Sequence, residues 1–150
     1  SATMPLGSTF EADVLNLALC AKAIANIADN ATSGPLTDLY ISLHTATPGA
    51  AGVQTTNELT DANYARIAVA RTSGGFTVTT NTVTNVGAVL FAAFAGGSGE
   101  TATHFAIGTA ASGAGKVLAR GALGASLDCD PVGTTPNFLA GQLVGTFVTA

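Results

Sequence analysis

Charge is what this chain has least of. Only 9% of its 150 residues are Asp, Glu, Lys or Arg, where about a quarter is usual for soluble domains. It has no Trp, two Tyr, one Met and two Cys. Each shortage excludes something. Five basic residues against nine acidic ones leave a net charge of -4 and no electrostatic footprint for a phosphate backbone, so nucleic acid is not an expected partner. Without Trp, and with so few Tyr, there is little aromatic surface on which a sugar ring could stack. Cys20 and Cys129 stand far apart and outside any C-x-x-C or mixed Cys/His grouping, so neither a zinc nor a redox motif is present. Cys20 reads as a small buried hydrophobe on a helix. Cys129 is flanked by Asp128 and Asp130, whose carboxylates raise a thiol pKa instead of activating it. A reducing compartment is expected, with a Cys20 to Cys129 pairing left open.

Long apolar runs are also missing. The most apolar stretch, 14–28, is interrupted by Asn16, Lys22 and Asn26 and falls short of a bilayer span. The start SATMPLG has no basic segment followed by an apolar one, so no secretory signal is expected, and synthesis in the cytoplasm is. Membrane is therefore not an expected partner. The length suits one domain that buries its core without disulfide or metal staples.

What is present is 47% hydrophobic residues and a polar complement made mostly of Thr, Ser, Asn and Gly. A surface built from these is poorly protected against association, because charge is what normally keeps soluble proteins apart. Coverage by partner chains is the expectation.

One helix is predicted over 8–29. Ser8 and Glu11 have capping-box spacing, and Phe10, Val14, Leu17, Ala21, Ile24 and Ala28 recur every three or four residues. Gly34 and Pro35 mark its stop. Beyond it the pattern is β. Leu39, Ile41 and Leu43 alternate, as do Ala65, Ile67 and Val69, which places each set on one face of a strand. Between these strands lies a loop, 45–56, rich in Gly, Ala, Thr and Pro. Strands are predicted at 39–44, 64–70, 76–79, 82–85, 89–94, 103–108, 116–121, 122–127 and 142–148, with hairpin turns at 73–75 and 80–81. The resulting fold class is all-β (mainly β), an antiparallel jelly-roll-like sandwich with one N-terminal accessory α-helix. It forms a single domain over 1–150: a flexible arm at 1–7, the helix, and the sandwich at 36–150.

Chemistry is sparse. The run SGAGK at 112–116 invites comparison with a phosphate-binding loop, but Ala110 and Val117 stand where Gly and Ser or Thr are needed. Its context is strand, turn, strand and not the start of a helix. His44 and His104 lie on predicted strands and read as half-buried, hydrogen-bonded side chains or as interface residues. A zinc site joining them to Asp61 or Asp128 has no ligand spacing to support it. No G-x-S-x-G elbow marks a nucleophilic serine. The Asp128-Cys129-Asp130 run lacks the Gly and terminal Glu of a calcium loop. No catalysis, cofactor or metal is expected. Arg66, Arg71 and Arg120, each at or near a strand, are either interface anchors or charges that guard a strand edge.

Three segments carry a resemblance: YISLHTATPGAAG at 40–52, NELTDANYARIAVART at 57–72, and THFAIGTAASGAGKVLARGAL at 103–123. They resemble a family of small tailed-phage virion proteins whose members include jelly-roll cement, or decoration, proteins of short-tailed phages. The resemblance implies a non-catalytic protein on the capsid exterior of the virion. It would bind the major capsid protein of an HK97-type head shell across capsomer boundaries and pair with itself as a homodimer. Shell contacts would come from Met4 and Pro5 in the arm, from Pro48 and Val53 in the 45–56 loop, and from the three arginines. The rivals are a tail-fibre or host-surface glycan-binding module, and a small β-sandwich hydrolase.

Overall fold

The computed structural model describes residues 8–24 and 35–146. One helix, α1 (Ser8–Cys20), precedes nine strands: β1 (Asp38–His44), β2 (Ile67–Ala70), β3 (Phe76–Thr79), β4 (Thr82–Asn85), β5 (Val89–Leu90), β6 (Thr101–Gly108), β7 (Val117–Asp128), β8 (Asn137–Phe138) and β9 (Val144–Thr146). The protein is mainly β, with antiparallel sheets and one short helix near its start, as the sequence pattern implied. Among the described residues, no helix is long and apolar enough to cross a membrane. The chain divides into two compact units. The first gathers Ser1–Thr37, Ala70–Ala88 and Leu139–Ala150, and the second gathers Asp38–Val69 and Val89–Phe138.

In the first unit, α1 stops at Cys20 instead of running to 29. Ala21 takes a left-handed backbone conformation, φ 53°, and the Lys22 amide reaches back to the Asn16 carbonyl at 3.1 Å. The last turn of a helix leaves carbonyls without partners, and here Arg71 takes them up. Its Nε donates to Ala18 at 2.6 Å, its second terminal nitrogen to Leu17, and its first to Leu36 at 3.2 Å. The predicted continuation at 25–29 lies outside the described residues. Leu15 and Leu19 are buried with Phe76, Val83 and Leu143, and Cys20 Sγ donates to the Phe76 carbonyl at 3.3 Å. The sheet order is β3-β4-β9. Its strands pair Thr77 with Thr84 and Thr84 with Val144, then Thr79 with Thr82 and Thr82 with Thr146. Period two gathers these five threonines and one valine on the opposite face from Phe76 and Val83. Asn85 is buried and ties the sheet to the following chain: its Nδ2 donates to Gly87 and Leu139, and its Oδ1 accepts from the Leu143 amide.

The second unit holds a four-stranded sheet, ordered β2-β1-β6-β7, and the strand pair β5-β8. Leu39, Ile41 and Leu43 are at most 1% exposed, as their alternation demands. Tyr64, Phe91, Phe138 and Phe105 form a chain of ring contacts with centroids 6.2, 6.3 and 5.7 Å apart. Three strand expectations need correction. The segment 64–70 becomes strand only at Ile67. The segment 89–94 is strand only at its first two residues, which pair with the unexpected β8. The two strands predicted at 116–121 and 122–127 are one, β7. Gly121 and Ala122 make no turn because both stay in register with β6, opposite Phe105 and His104. The greater length of β7 is absorbed as a bulge: Ala102 pairs with Leu127 and His104 with Ala122, which leaves 123–126 without β6 partners.

Candidate functional site

Alternation predicts that Tyr40, Ser42 and His44 face away from the Leu39, Ile41 and Leu43 side of β1. Ser42 and His44 are nonetheless 0% exposed, because the chain between β1 and β2 folds back over them. His44 Nδ1 lies 2.9 Å from the Thr56 carbonyl and Nε2 lies 2.9 Å from Ser42 Oγ. A carbonyl only accepts, so Nδ1 carries the proton donated to Thr56; in the neutral ring Nε2 is then an acceptor, and the single Ser42 proton lies between it at 2.9 Å and the Ala106 carbonyl at 3.4 Å. Burial pushes the His44 pKa below its ordinary value of 6.5 and outweighs the raising effects of Thr56 and Glu58. A serine beside a histidine is the beginning of a nucleophilic site, but here a backbone carbonyl stands where a triad carboxylate would be. Both side chains are also sealed from substrate. The pair holds the covering loop in place.

Gln54 does the same at the other end of the loop. It is 0% exposed, its Oε1 accepts the Ala110 amide at 2.9 Å, and its Nε2 donates to Tyr40 O at 3.4 Å. It fits because Gly108 and Gly115 have no side chains: a Cβ on either would lie 2.0 or 2.1 Å from a Gln54 atom. The loop is held closed by backbone and side-chain bonds. The Gln54 amide reaches Gly115 at 2.8 Å, that of Thr45 reaches Asn57 O at 2.8 Å, and Asn57 Nδ2 reaches Thr47 O at 3.0 Å.

The third anchor is ionic. Arg66 forms a forked pair with Glu58, Nε to Oε1 at 2.6 Å and the terminal nitrogen to Oε2 at 2.7 Å. It also donates to the Ala110 and Gly113 carbonyls, each at 2.8 Å. The Arg66 side chain is only 3% exposed, and the Glu58 bond holds its pKa up. The Tyr64 hydroxyl donates to Glu58 Oε1 and accepts the Leu43 amide, and burial pushes its pKa up. Asp61 gathers the amides of Asn63, Ala95 and Gly96 at 2.9 to 3.1 Å. The Ala95 amide leads in lowering its pKa.

The residues named as contact candidates are thus scattered in circumstance. Met4 and Pro5 lie outside the described residues. Pro48 is buried, Val53 is 36% exposed and bridges to Lys116, and Arg120 on β7 is exposed. Arg66 and Arg71 spend their donors inside the chain. The 112–116 run is the β6-β7 hairpin turn, as expected. The Thr109 amide bonds to Lys116 O, the Lys116 amide bonds to Thr109 Oγ1, and Arg66 bonds to the Gly113 carbonyl. Asp128 and Asp130 bond loop amides beside a fully buried Cys129. Both cysteines are free, and burial leads in raising the pKa of each. Among the described residues no three His, Cys, Asp or Glu side chains are grouped as metal ligands. Sequence reasoning passed over Gln54, Glu58, Tyr64 and Asn85. For Gln54 the signal was available in Gly108 at a strand end and Gly115 beside it, since glycine in a strand marks close approach by another group.

None of the curated proteins compared matches the chain. A family model, described as podophage GP4 fiber I protein gp80, matches residues 16–146. That span includes all nine strands and every anchor described above, so the chain belongs to the podophage GP4 fiber I protein gp80 family and is a virion protein of a short-tailed phage.

Proposed function

We propose that the protein is a capsid cement, or decoration, protein without catalytic activity. It binds the outside of an HK97-type head shell, stabilises it across capsomer boundaries, and pairs with a second copy of itself. The observation that carries this reading is where the charge goes. Glu58, Arg66, Asp61 and Arg71 are committed to bonds within the chain, and Glu100 holds the Thr60 amide and hydroxyl. Among the described residues, the exposed charges are Asp13, Lys22, Lys116, Arg120, Asp128 and Asp130, and the rest of the exposed surface is mostly Thr, Ala, Gly and Ser with scattered large apolar side chains such as Leu90 and Val132. Such a surface supplies weak, mostly uncharged contacts, and weak contacts repeated over a lattice add up to firm attachment. The virion family supports the same setting.

The second reading is a tail-fibre or host-surface binding module, favoured by the word fiber in the family's description. The two separate on particles assembled without this protein. For a cement protein, those particles lose head integrity on heating or osmotic shock. For a fibre, they keep intact heads and lose adsorption to the host.

A further inference from the structure

We propose that the segment 45–56 is an acid-released cover: proton uptake by His44, with His104 facing it, lets the segment lift from the β1-β6 sheet while the strands stay paired. The device does not depend on whether the protein sits on a head or on a tail.

His44 is the latch because of what it touches. Its ring is 0% exposed and donates from Nδ1 to the carbonyl of Thr56, at the far end of the segment, at 2.9 Å. The other bonds that close the segment join backbone groups, threonine hydroxyls and the side-chain amides of Gln54 and Asn57. None of those groups titrates between about pH 4 and 8, and the segment itself holds no Asp, Glu, His, Lys or Arg. Acidity therefore acts on the cover through this one ring and the charges around it.

Those charges leave no free anion for an imidazolium. Glu58 stands opposite His44 on one flank, but its carboxylate is divided between Arg66 and the Tyr64 hydroxyl. His104 stands opposite on the other flank, on β6, followed on β7 by Ala122, with the exposed Arg120 on the same face. Residues directly opposite in an antiparallel pair have Cβ atoms about 4.5 to 5.5 Å apart, so a proton on His104 places a like charge beside His44. His104 takes that proton without losing a bond. The Thr103 hydroxyl gives its single proton to Thr45 O at 2.8 Å, so it accepts from His104 Nδ1, also at 2.8 Å, and Nε2 of this half-buried ring is the basic atom.

The bonds of His44 also survive protonation. Its Nε2 then donates to Ser42 Oγ, whose own proton turns to Ala106 O, 3.4 Å away. What the closed form lacks is a counter-charge or water, and opening the segment supplies the water. Burial, helped by Arg66 and His104, holds the His44 pKa below 6.5 in the closed form against Thr56 and Glu58. The open form therefore binds the proton first, and the balance shifts toward it as pH falls from 6.5 to the closed-form pKa.

Amide hydrogen exchange of the full chain, residue by residue and corrected for the intrinsic effect of pH on exchange, tests this. Between about pH 7.5 and about pH 5.5 the protection of the Thr45, Gln54 and Thr56 amides is expected to fall several-fold, with about tenfold as the ceiling set by one proton. The ladder amides of β1 and β6 keep theirs. His44→Gln, whose side chain does not titrate, is expected to show no fall, and His104→Gln, which removes the facing charge, a smaller one. Protection at Gln54 and Thr56 that is independent of pH, or that falls together with the β1-β6 ladder, overturns the device. Both of those outcomes are read on the parent protein, so they decide the matter even where His44→Gln does not fold. A fall that persists in His44→Gln overturns the latch, and one as large in His104→Gln as in the parent overturns the part given to the facing ring.

Discussion

Gly108→Ala adds one methyl group, and the structure says where it lands. The new Cβ would lie 2.0 Å from Gln54 Cδ. Gln54 is sealed from solvent, and retreat would leave the Ala110 amide without its 2.9 Å acceptor. Overpacking costs about 1 to 3 kcal/mol, and an orphaned buried amide about 1 to 3 kcal/mol more, so a destabilisation of about 3 kcal/mol is expected. Gln54→Ala orphans the same amide and opens a void, at about 2 to 3 kcal/mol. In the double variant the alanine methyl at 108 occupies the space that the glutamine vacates. The cost is then about 3 kcal/mol instead of the additive sum of about 5 to 6, a coupling of about 2 to 3 kcal/mol. Urea titration of all four proteins, with m-values checked for constancy, measures each corner of the cycle. Additivity to within about 0.5 kcal/mol, or a Gly108→Ala protein as stable as the parent, refutes the account of the loop as pinned by Gln54.

Other outcomes follow from the remaining anchors. Glu58→Leu leaves the Arg66 guanidinium buried without its carboxylate and is expected to destabilise by about 3 to 5 kcal/mol, while Glu58→Leu with Arg66→Met costs clearly less; thermal unfolding of the pair of variants checks this. Arg71→Ala uncaps α1 and is expected to cost about 2 kcal/mol with a loss of helical signal in far-UV circular dichroism. The folded state holds the His44 pKa below its ordinary 6.5, so the unfolded chain takes up the proton first. Stability therefore falls as pH drops below 6.5 and stops falling below the folded pKa. Urea midpoints on either side of that window are expected to differ for the parent and to converge for His44→Gln.

Much of the β framework was legible because it rests on local pattern. Phe76 to Thr79 and Thr82 to Asn85 alternate cleanly around Thr80 and Asn81, and both strands and the hairpin turn stand where the pattern puts them. The helix was overrun because its apolar spacing continues past Cys20 while its end is set by Arg71, fifty-odd residues on in sequence. The β7 bulge was invisible for a similar reason: a glycine-alanine step reads as a turn until β6 is known to continue opposite it. The buried polar anchors were illegible one by one. Nothing near Gln54 in sequence says that its partners are Gly108, Ala110 and Gly115, and nothing near Asp61 announces the amides of Ala95 and Gly96. The histidines were closer to hand, since a polar residue alternating with Ile41 and Leu43 must either reach solvent or find partners, and His44 finds two.

The number of copies per purified virion, from gel densitometry against the major capsid protein, tests attachment to the head most directly. A cement role requires on the order of hundreds of copies, in fixed ratio to the shell subunits. A count of a few to about a few dozen, matching the closed symmetry of a tail, contradicts it.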